Sequence, residues 1–425
     1  MIINFSVQNF GSIKEKQTLS FEANESTHLE EHYIIKTGGL RLTKLALIYG
    51  ANASGKTTIL AALQFLRFIS ISPKQSKTEL LDFNPFLFDE KTPSESTIMS
   101  IDFIESEIRY NYEVEFVRYA ILREELYFFK PNKAVIFKRT TNLQQQFTEI
   151  IFGSKIKPKK TSTTILEANT LWNNTVLGGF LKTNIKLEEL TKVTNWFSTI
   201  LNGIILPKIP FDSVISSDIN ENLISKNMVI EVLKKADFNI SNIILNAKEQ
   251  NIDNKELSKT EYLLPNAGRD IQIFENLEIE HTINGKKYIL PFELQSEGTQ
   301  RYYGFSGLLA ILIKSNSIAV IDELEASLHP DLYKHFLLTF LMNAEKSQLI
   351  ATTHNREILG NKDIFRDDAI WFTEKNESGA TELYSLADFG SEVVKETSSV
   401  LNTYKAGGFG AVPHLRDYYI DTDNE

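Results

Sequence analysis

Alternating apolar and polar residues at the start of the chain predict a half-buried strand. Ile3, Phe5 and Val7 are separated by polar residues, and this period of two is typical of a strand with one face in the core. After a break at residues 9–12, the pattern returns at residues 17–21 and predicts a hairpin partner. The chain therefore opens in antiparallel β-structure.

The same period of two returns in a longer stretch, residues 82–152. Alternating runs lie at residues 98–104, 110–116, 125–128 and 134–137. Short polar segments separate these runs, which is the pattern of a meander of antiparallel strands. We therefore predict an antiparallel β-subdomain that this meander forms.

From about residue 165 the apolar spacing changes to three and four. Helical spacing extends to about residue 206 and returns over residues 222–238. Strand patterning then resumes, with an Asn-Gly hairpin signal at residues 284–285. The predicted organisation is two lobes, residues 1–152 and 270–425, on either side of a mainly helical insertion. That insertion spans residues 153–269.

Composition narrows the function classes. The net charge of −10 argues against a general nucleic-acid coat protein, although a local basic groove is compatible with it. The chain has no cysteine, which excludes disulfides, iron–sulfur clusters and thiolate zinc sites and suits a cytoplasmic location. No run approaches the roughly 18 apolar residues of a membrane helix, so we expect no membrane association.

A glycine-bounded loop carries the first chemical signal. Apolar residues 45–49 precede the loop, and a helix-like run at residues 58–63 follows it. Strand, loop and helix in this order are typical of a P-loop, whose backbone N–H groups and helix start bind phosphate. Lys56 would bind the β- and γ-phosphates, and the Thr57 hydroxyl would bind Mg²⁺. The residues expected to bind nucleotide here are Gly50, Asn52, Ser54, Gly55, Lys56, Thr57 and Thr58.

A second apolar run, residues 317–321, ends in the acids Asp322 and Glu323. A buried parallel strand has this composition, and ligands bind at the carboxyl ends of such strands. Asp322 would hold Mg²⁺ opposite Thr57, and Glu323 would polarise the attacking water. The P-loop lies far away in sequence, so an extra module separates the two halves of the site.

Two further segments could contact the γ-phosphate. Ser296, Gly298 and Gln300 alternate just before a helix-like run, which predicts an anion-receiving helix start. His354 ends the short strand-like run at residues 348–354 and could hydrogen-bond the γ-phosphate. A histidine at a strand end is also commonly structural, and the residues alone leave that alternative open.

These motifs in this order resemble the ABC-type ATPase superfamily, and more narrowly its SMC/Rad50-like and OLD-like branch of stand-alone ATPases. Within that branch the chain is similar to the bacterial AAA_15/AAA_21-type ATP-binding proteins, many of which are encoded in phage-defence (abortive infection) operons. The implied fold is α/β, an ABC-type P-loop NTPase head with a mixed sheet and an antiparallel β-subdomain. The resemblance rests on residues 4–10, 50–57, 295–300, 322–330, 352–355 and 408–413.

The resemblance also implies how the site works. ATP with Mg²⁺ would be sandwiched in a homodimer, where Ser296 and Gly298 of one chain face the γ-phosphate that Lys56 of the other chain holds. Glu323 and His354 would be the catalytic residues of ATP hydrolysis. The loop at residues 326–329 would cross the dimer interface.

Two functions from different classes fit this resemblance. The first is a sensor and regulator of a separate, neighbour-encoded toxic effector, such as a nuclease, in anti-phage defence. The second is a DNA-binding ATPase of DNA maintenance or repair. The basic stretch at residues 153–161 is either a nucleic-acid contact or an exposed loop, and the sequence favours the loop.

Overall fold

The computed structural model describes residues 1–207, 211–246, 276–361, 363–390 and 397–413. The first ten strands are β1 (Ile2–Gln8), β2 (Gln17–Ser20), β3 (Ile34–Thr37), β4 (Leu40–Thr43), β5 (Leu45–Gly50), β6 (Thr97–Glu105), β7 (Ile108–Val117), β8 (Ala120–Phe129), β9 (Lys133–Asn142) and β10 (Phe147–Phe152). The others are β11 (Leu201–Ile205), β12 (Ile240–Asn246), β13 (Asn276–Ile283), β14 (Lys286–Pro291), β15 (Ile318–Ile321), β16 (Gln348–Thr352), β17 (Ile370–Lys375) and β18 (Thr381–Ser385).

Helices connect these strands. The α-helices are α1 (Glu30–Tyr33), α2 (Lys56–Ile71), α3 (Lys160–Asn169), α4 (Val176–Leu181), α5 (Glu188–Asn195), α6 (Asp212–Asn220), α7 (Lys226–Lys235), α8 (Glu297–Lys314), α9 (Pro330–Asn343) and α10 (Thr397–Lys405). A π-helical turn covers Trp196–Ile200, and short 3₁₀ helices cover Thr92–Ser94, Phe292–Leu294, Arg356–Gly360, Asp367–Ala369 and Leu386–Phe389.

A seven-stranded antiparallel sheet contains the opening hairpin and the meander, in the order β10-β9-β8-β7-β6-β1-β2. Phe5 on β1 lies opposite Leu19 on one side and Ile101 on the other. All three side chains are buried, as the period of two requires. The predicted antiparallel β-subdomain is therefore present.

A six-stranded mixed sheet carries the chemical motifs, in the order β11-β15-β16-β5-β17-β18. The first five strands run parallel, and only β18 pairs antiparallel with its neighbour. Strand β16 lies between β5, which precedes the P-loop, and β15, which precedes Asp322. Because parallel strands end at one edge of a sheet, the P-loop, Asp322 and His354 meet there.

Both faces of the six-stranded sheet are covered. Leu47 and Tyr49 of β5 face the core that includes α8 and α9. Ala46 and Ile48 face the opposite core, between this sheet, α2 and the antiparallel sheet. Burial on both faces explains why β5 is continuously apolar instead of alternating.

The segment at residues 153–269 is mainly helical where it is described, with α3 to α7. The predicted helical pattern up to residue 206 is wrong at its end, because residues 201–205 form β11. This strand pairs parallel with β15 at the edge of the six-stranded sheet. All five of its residues are buried, and periodicity cannot distinguish a short apolar strand from a buried helix. The boundaries at 152 and 269 stay a prediction, since residues 247–275 lie outside the described ranges.

Candidate nucleotide-binding site

The P-loop curls tightly between β5 and α2. Ala53 and Gly55 both have left-handed backbones, with φ of 62° and 107°. A Cβ atom at Gly55 would lie 2.1 Å from the Thr381 Oγ1 atom, so only glycine fits at this position. Successive turns of this kind before a helix start form an anion-binding concavity.

Hydroxyl groups from three other segments hold the P-loop in place. The Ser54 and Thr373 hydroxyls are 2.6 Å apart, and Thr381 Oγ1 donates to the Ser54 carbonyl at 2.9 Å. Ser12 Oγ donates to Thr58 Oγ1 at 3.1 Å. The sequence pointed to Ser54 and Thr58 but missed their partners, which come from the loop after β1 and from β17 and β18.

Lys56 is buried beneath the loop, with a relative exposure of 7%. Its ammonium group donates to the carbonyl oxygens of Gly50 and Ala51 at 3.0 and 3.1 Å. Burial lowers the pKa of Lys56, and the nearby carboxylates of Asp322 and Glu323 oppose that shift. A cation held in this way lies ready to bind phosphate oxygens.

Thr57 and Asp322 meet, although 265 positions separate them. Thr57 Oγ1 lies 3.2 and 3.0 Å from the two Asp322 carboxylate oxygens. A hydroxyl and a carboxylate are hard oxygen ligands of the kind that Mg²⁺ prefers, so the residues present fit this ion. The structure brings together the two groups that the sequence assigned to the metal, and the metal role itself stays a prediction.

Thr352, at the end of β16, joins both acids of the second motif. Its hydroxyl donates to Asp322 Oδ1 at 2.5 Å and accepts the Glu323 backbone N–H at 2.8 Å. Glu323 has a left-handed backbone, with φ of 48°, and an exposed side chain. Such a conformation is costly for a residue with a side chain and tends to occur at functional sites. The sequence patterns did not predict a role for Thr352, although its position at a strand end, two residues before His354, was a usable signal.

His354 lies at the rim of the same edge. Its backbone N–H donates to Glu325 Oε1 at 2.5 Å. Partial loss of hydration, together with the charge of Lys56, lowers the pKa of His354 below its usual 6.5. This shift favours the neutral imidazole. Glu325 lies in the segment 322–330 that carries the family resemblance, but the sequence suggested no role for its carboxylate.

A cavity of about 490 Å³ opens beside the P-loop. Residues 50–52 form one wall, and His354 and Arg356 line another. Residues 411–413 also line the cavity. The sequence analysis did not place the C-terminal segment or Arg356 at the nucleotide site.

Ser296, Gly298 and Gln300 form a separate group at the start of α8. Ser296 Oγ accepts the Thr299 backbone N–H at 3.2 Å, and the Gln300 amide donates to the Phe292 carbonyl at 3.1 Å. Within the described part of the chain, no hydrogen bond joins these three residues to the P-loop. Their nucleotide role stays a prediction.

The loop at residues 326–329 lies close to this helix start. A Cβ atom at Gly298 would lie 3.2 Å from the Ser327 carbonyl oxygen, so the backbones approach closely where glycine stands.

The basic stretch at residues 153–161 shows exposed lysines, such as Lys155 and Lys157. Its predicted nucleic-acid contact stays a prediction.

A family model described as "AAA domain, putative AbiEii toxin, Type IV TA system" matches residues 45–360. The chain belongs to this family. The matched range includes the P-loop, Asp322 and His354, and the structure has the mixed sheet and the antiparallel β-subdomain that the sequence predicted. The family places the protein among nucleotide-binding ATPases. The matched range does not extend to residues 411–413, which line the cavity.

Solved structures of SMC head domains are also similar to this chain. "SMC head domain from Thermotoga maritima" has 12% identity, covers 90% of this chain and 98% of that chain, and has a TM-score of 0.42. "Crystal structure of the SmcHead bound to the C-winged helix domain of ScpA" has 14% identity, with coverages of 90% and 97% and a TM-score of 0.44. A search of the curated proteins found no match. None of the described helices is long and apolar enough to cross a membrane.

Proposed function

We propose that the protein binds Mg²⁺ and ATP and hydrolyses the nucleotide as a dimeric switch. The observation that carries this proposal is the 3.0 Å approach of Thr57 Oγ1 to Asp322 Oδ2. It places a hydroxyl and a carboxylate beside the Lys56 cation at the start of α2. This combination supplies the charge and oxygen ligands that a metal-bound triphosphate needs.

The residues then divide the chemistry. Lys56 and the P-loop backbone bind phosphate oxygens, while Thr57 and Asp322 would hold Mg²⁺. When bound, the metal neutralises charge on the phosphates. Glu323 accepts a proton from the attacking water at its exposed carboxylate, and the bond from its N–H to Thr352 orients it.

The second half of the site comes from a second copy of the chain. Ser296 is exposed at the start of α8, where a helix N-terminus attracts anions. A terminal phosphate that both chains contact stabilises the closed dimer over the open one. Its loss on hydrolysis reverses that preference, which is the thermodynamic requirement for a ligand-driven switch.

In the cell, this switch would sense infection and control a separate toxic effector in anti-phage defence. The family description names a toxin of a type IV toxin–antitoxin system, and the motifs resemble those of defence-operon ATPases. A cytoplasmic location fits this role. Co-purification with the product of a neighbouring gene would support it, whereas ATPase activity that rises on addition of duplex DNA would favour DNA maintenance instead.

Glu323→Gln tests the hydrolytic switch. This variant keeps the size of the side chain but cannot accept the proton of the water, so kcat should fall by about 100-fold or more. The Kd for ATP should stay unchanged, and size-exclusion chromatography with ATP should show a dimer that persists. Glu377→Gln, an exposed acid in the turn between β17 and β18, is the control. Hydrolysis at the wild-type rate by Glu323→Gln would overturn the assignment.

A further inference from the structure

Arg356 lines the P-loop cavity and could offer its guanidinium group to a ligand. It is half-buried, and its Cζ atom lies 5.8 Å from the centre of the Tyr404 ring. Among the described residues, no carboxylate and no hydrogen-bond acceptor pairs with its guanidinium group. Lys375 lines the same cavity, but its ammonium group donates to the Gly379 carbonyl at 2.9 Å. Lys375 thus has one of its three donors engaged, whereas the Arg356 guanidinium group has no such partner among the described residues.

The C-terminal helix positions Arg356. The 3₁₀ turn that begins at Arg356 packs on α10, and a Cβ atom at Gly360 would lie 3.1 Å from Leu401 Cδ2. Tyr404, near the end of the same helix, is buried with its ring 5.9 Å from that of Tyr49. Since Tyr49 directly precedes the P-loop, the aromatic surface behind Arg356 is anchored to the nucleotide site.

The segment that follows α10 is a built wall of the cavity. We call residues 407–413 the C-terminal loop. Tyr404 donates its hydroxyl to the Ala411 carbonyl at 3.1 Å, and Tyr384 donates to the Phe409 carbonyl at 2.8 Å. The Phe409 ring is buried and stacks on Phe372 at 5.9 Å.

The backbone conformation and surroundings at residue 410 require glycine. Its φ is +66°, and a Cβ atom there would lie 2.3 Å from a Glu374 carboxylate oxygen. Only glycine permits that approach. Gly410 therefore lets the loop approach Glu374 closely beside the cavity.

We propose that this cavity distinguishes a nucleoside triphosphate from a diphosphate, with Arg356 as the residue that binds the terminal phosphate. The carbonyls of Gly50 and Ala51, which accept from Lys56, line the cavity. The phosphate-binding cation is thus hydrogen-bonded to two residues that line the cavity. A guanidinium group offers paired donors to phosphate oxygens, and its position over the Tyr404 ring pre-orders it. This inference rests on the proposed function.

Arg356→Ala tests the inference by calorimetric titration with ADP and with a non-hydrolysable ATP analogue. The Kd for the analogue should rise by about 10- to 100-fold, the usual loss for one charge-assisted contact. The Kd for ADP should change by less than about twofold, because ADP lacks the phosphate in question. Arg356→Lys should lie between wild type and Arg356→Ala for the analogue.

Lys405→Ala is the matched control. It removes an equal charge from α10, where Lys405 is exposed and lies 3.6 Å from Glu357 outside the cavity. Its Kd values for both nucleotides should match those of the wild type. Thermal unfolding of all variants reports whether the fold is retained, and ADP binding provides a second check.

Three outcomes would overturn the inference. An equal rise in the Kd values for both nucleotides in Arg356→Ala would show a general distortion of the P-loop. Unchanged affinity for the analogue would show that Arg356 binds no terminal phosphate. If the wild type binds neither nucleotide, the proposed function fails first and this inference fails with it. A wild type that binds both, beside an unaffected Arg356→Ala, isolates the failure to Arg356.

Discussion

The P-loop half of the site and the start of α8 differ in how completely one chain builds them. In the P-loop half, Lys56, Asp322 and Thr352 are buried, and hydrogen bonds join Asp322 to Thr57 and to Thr352, both distant in sequence. At the start of α8, Ser296 is exposed, and Gln300 bonds within its own segment. Folding of one chain therefore completes the first half. The start of α8 presents an exposed polar helix start, which the proposed site shared between two chains requires.

The two halves also differ in charge. Three carboxylates, those of Asp322, Glu323 and Glu325, raise the pKa of Lys56 against the larger effect of burial. The carboxylates thereby favour the charged form of the buried ammonium group. Ser296, by contrast, is a neutral N-cap at an exposed helix start. The strong electrostatic part of the site thus lies on the P-loop side, and the other side contributes geometry.

Lys56→Ala and Ser296→Arg should have the largest effects and test the division between the halves. Each should reduce ATP turnover by roughly 100-fold or more, because one removes the phosphate cation and the other blocks the helix start. Lys56→Ala should also lose ATP binding, while Ser296→Arg should keep the wild-type Kd. Steady-state turnover and titration of ATP would measure both.

Mixing the two variants decides whether the halves belong to different chains. In a symmetric dimer, half of the randomly mixed assemblies pair one of each, and one of their two sites is intact. An equal mixture should therefore recover roughly a quarter of the wild-type rate. Each variant mixed with itself is the control. A mixture as inactive as its components would contradict a site shared between two chains and indicate that one chain forms the site alone.

Thr352→Val should have a smaller effect and tests the Thr352 hydrogen bonds within the P-loop half. It keeps the shape of the side chain but removes the donor to Asp322 and leaves the Glu323 N–H without its acceptor. We expect kcat to fall about tenfold with little change in the Kd for ATP. Thr353→Val is the matched control, since the Thr353 hydroxyl accepts from Asn355. Equal effects of the two substitutions would argue against a specific role for Thr352.

Ser296→Ala should have the smallest effect on the isolated chain. Loss of the N-cap bond to Thr299 should lower the free energy of unfolding by about 1 kcal/mol, measurable by urea denaturation. Ser296→Thr, which retains a capping hydroxyl, is the control. A loss well above about 2 kcal/mol would show that this segment is integrated into the fold as firmly as the P-loop half.

Sequence patterns located most of the site because its motifs are local. Strand, glycine-bounded loop and helix identified the P-loop, and the apolar run before Asp322 identified a second strand end. The expectation that Thr57 and Asp322 meet depended on one rule, that parallel strands end at the same edge of a sheet. The same approach failed at residues 201–205, where five buried residues fit a strand and a helix equally well.

The sequence alone indicated the family, predicted the antiparallel subdomain and located candidate ligand groups at two strand ends. These follow from periods of two and from short motifs, which depend on neighbouring residues. Only the tertiary structure decided that Thr352 joins both acids and that Arg356 and the C-terminal loop border the P-loop cavity. The Thr381 bond to Ser54, for example, spans 327 positions. No local period encodes such contacts, because strand order and the packing of α10 bring the partners together.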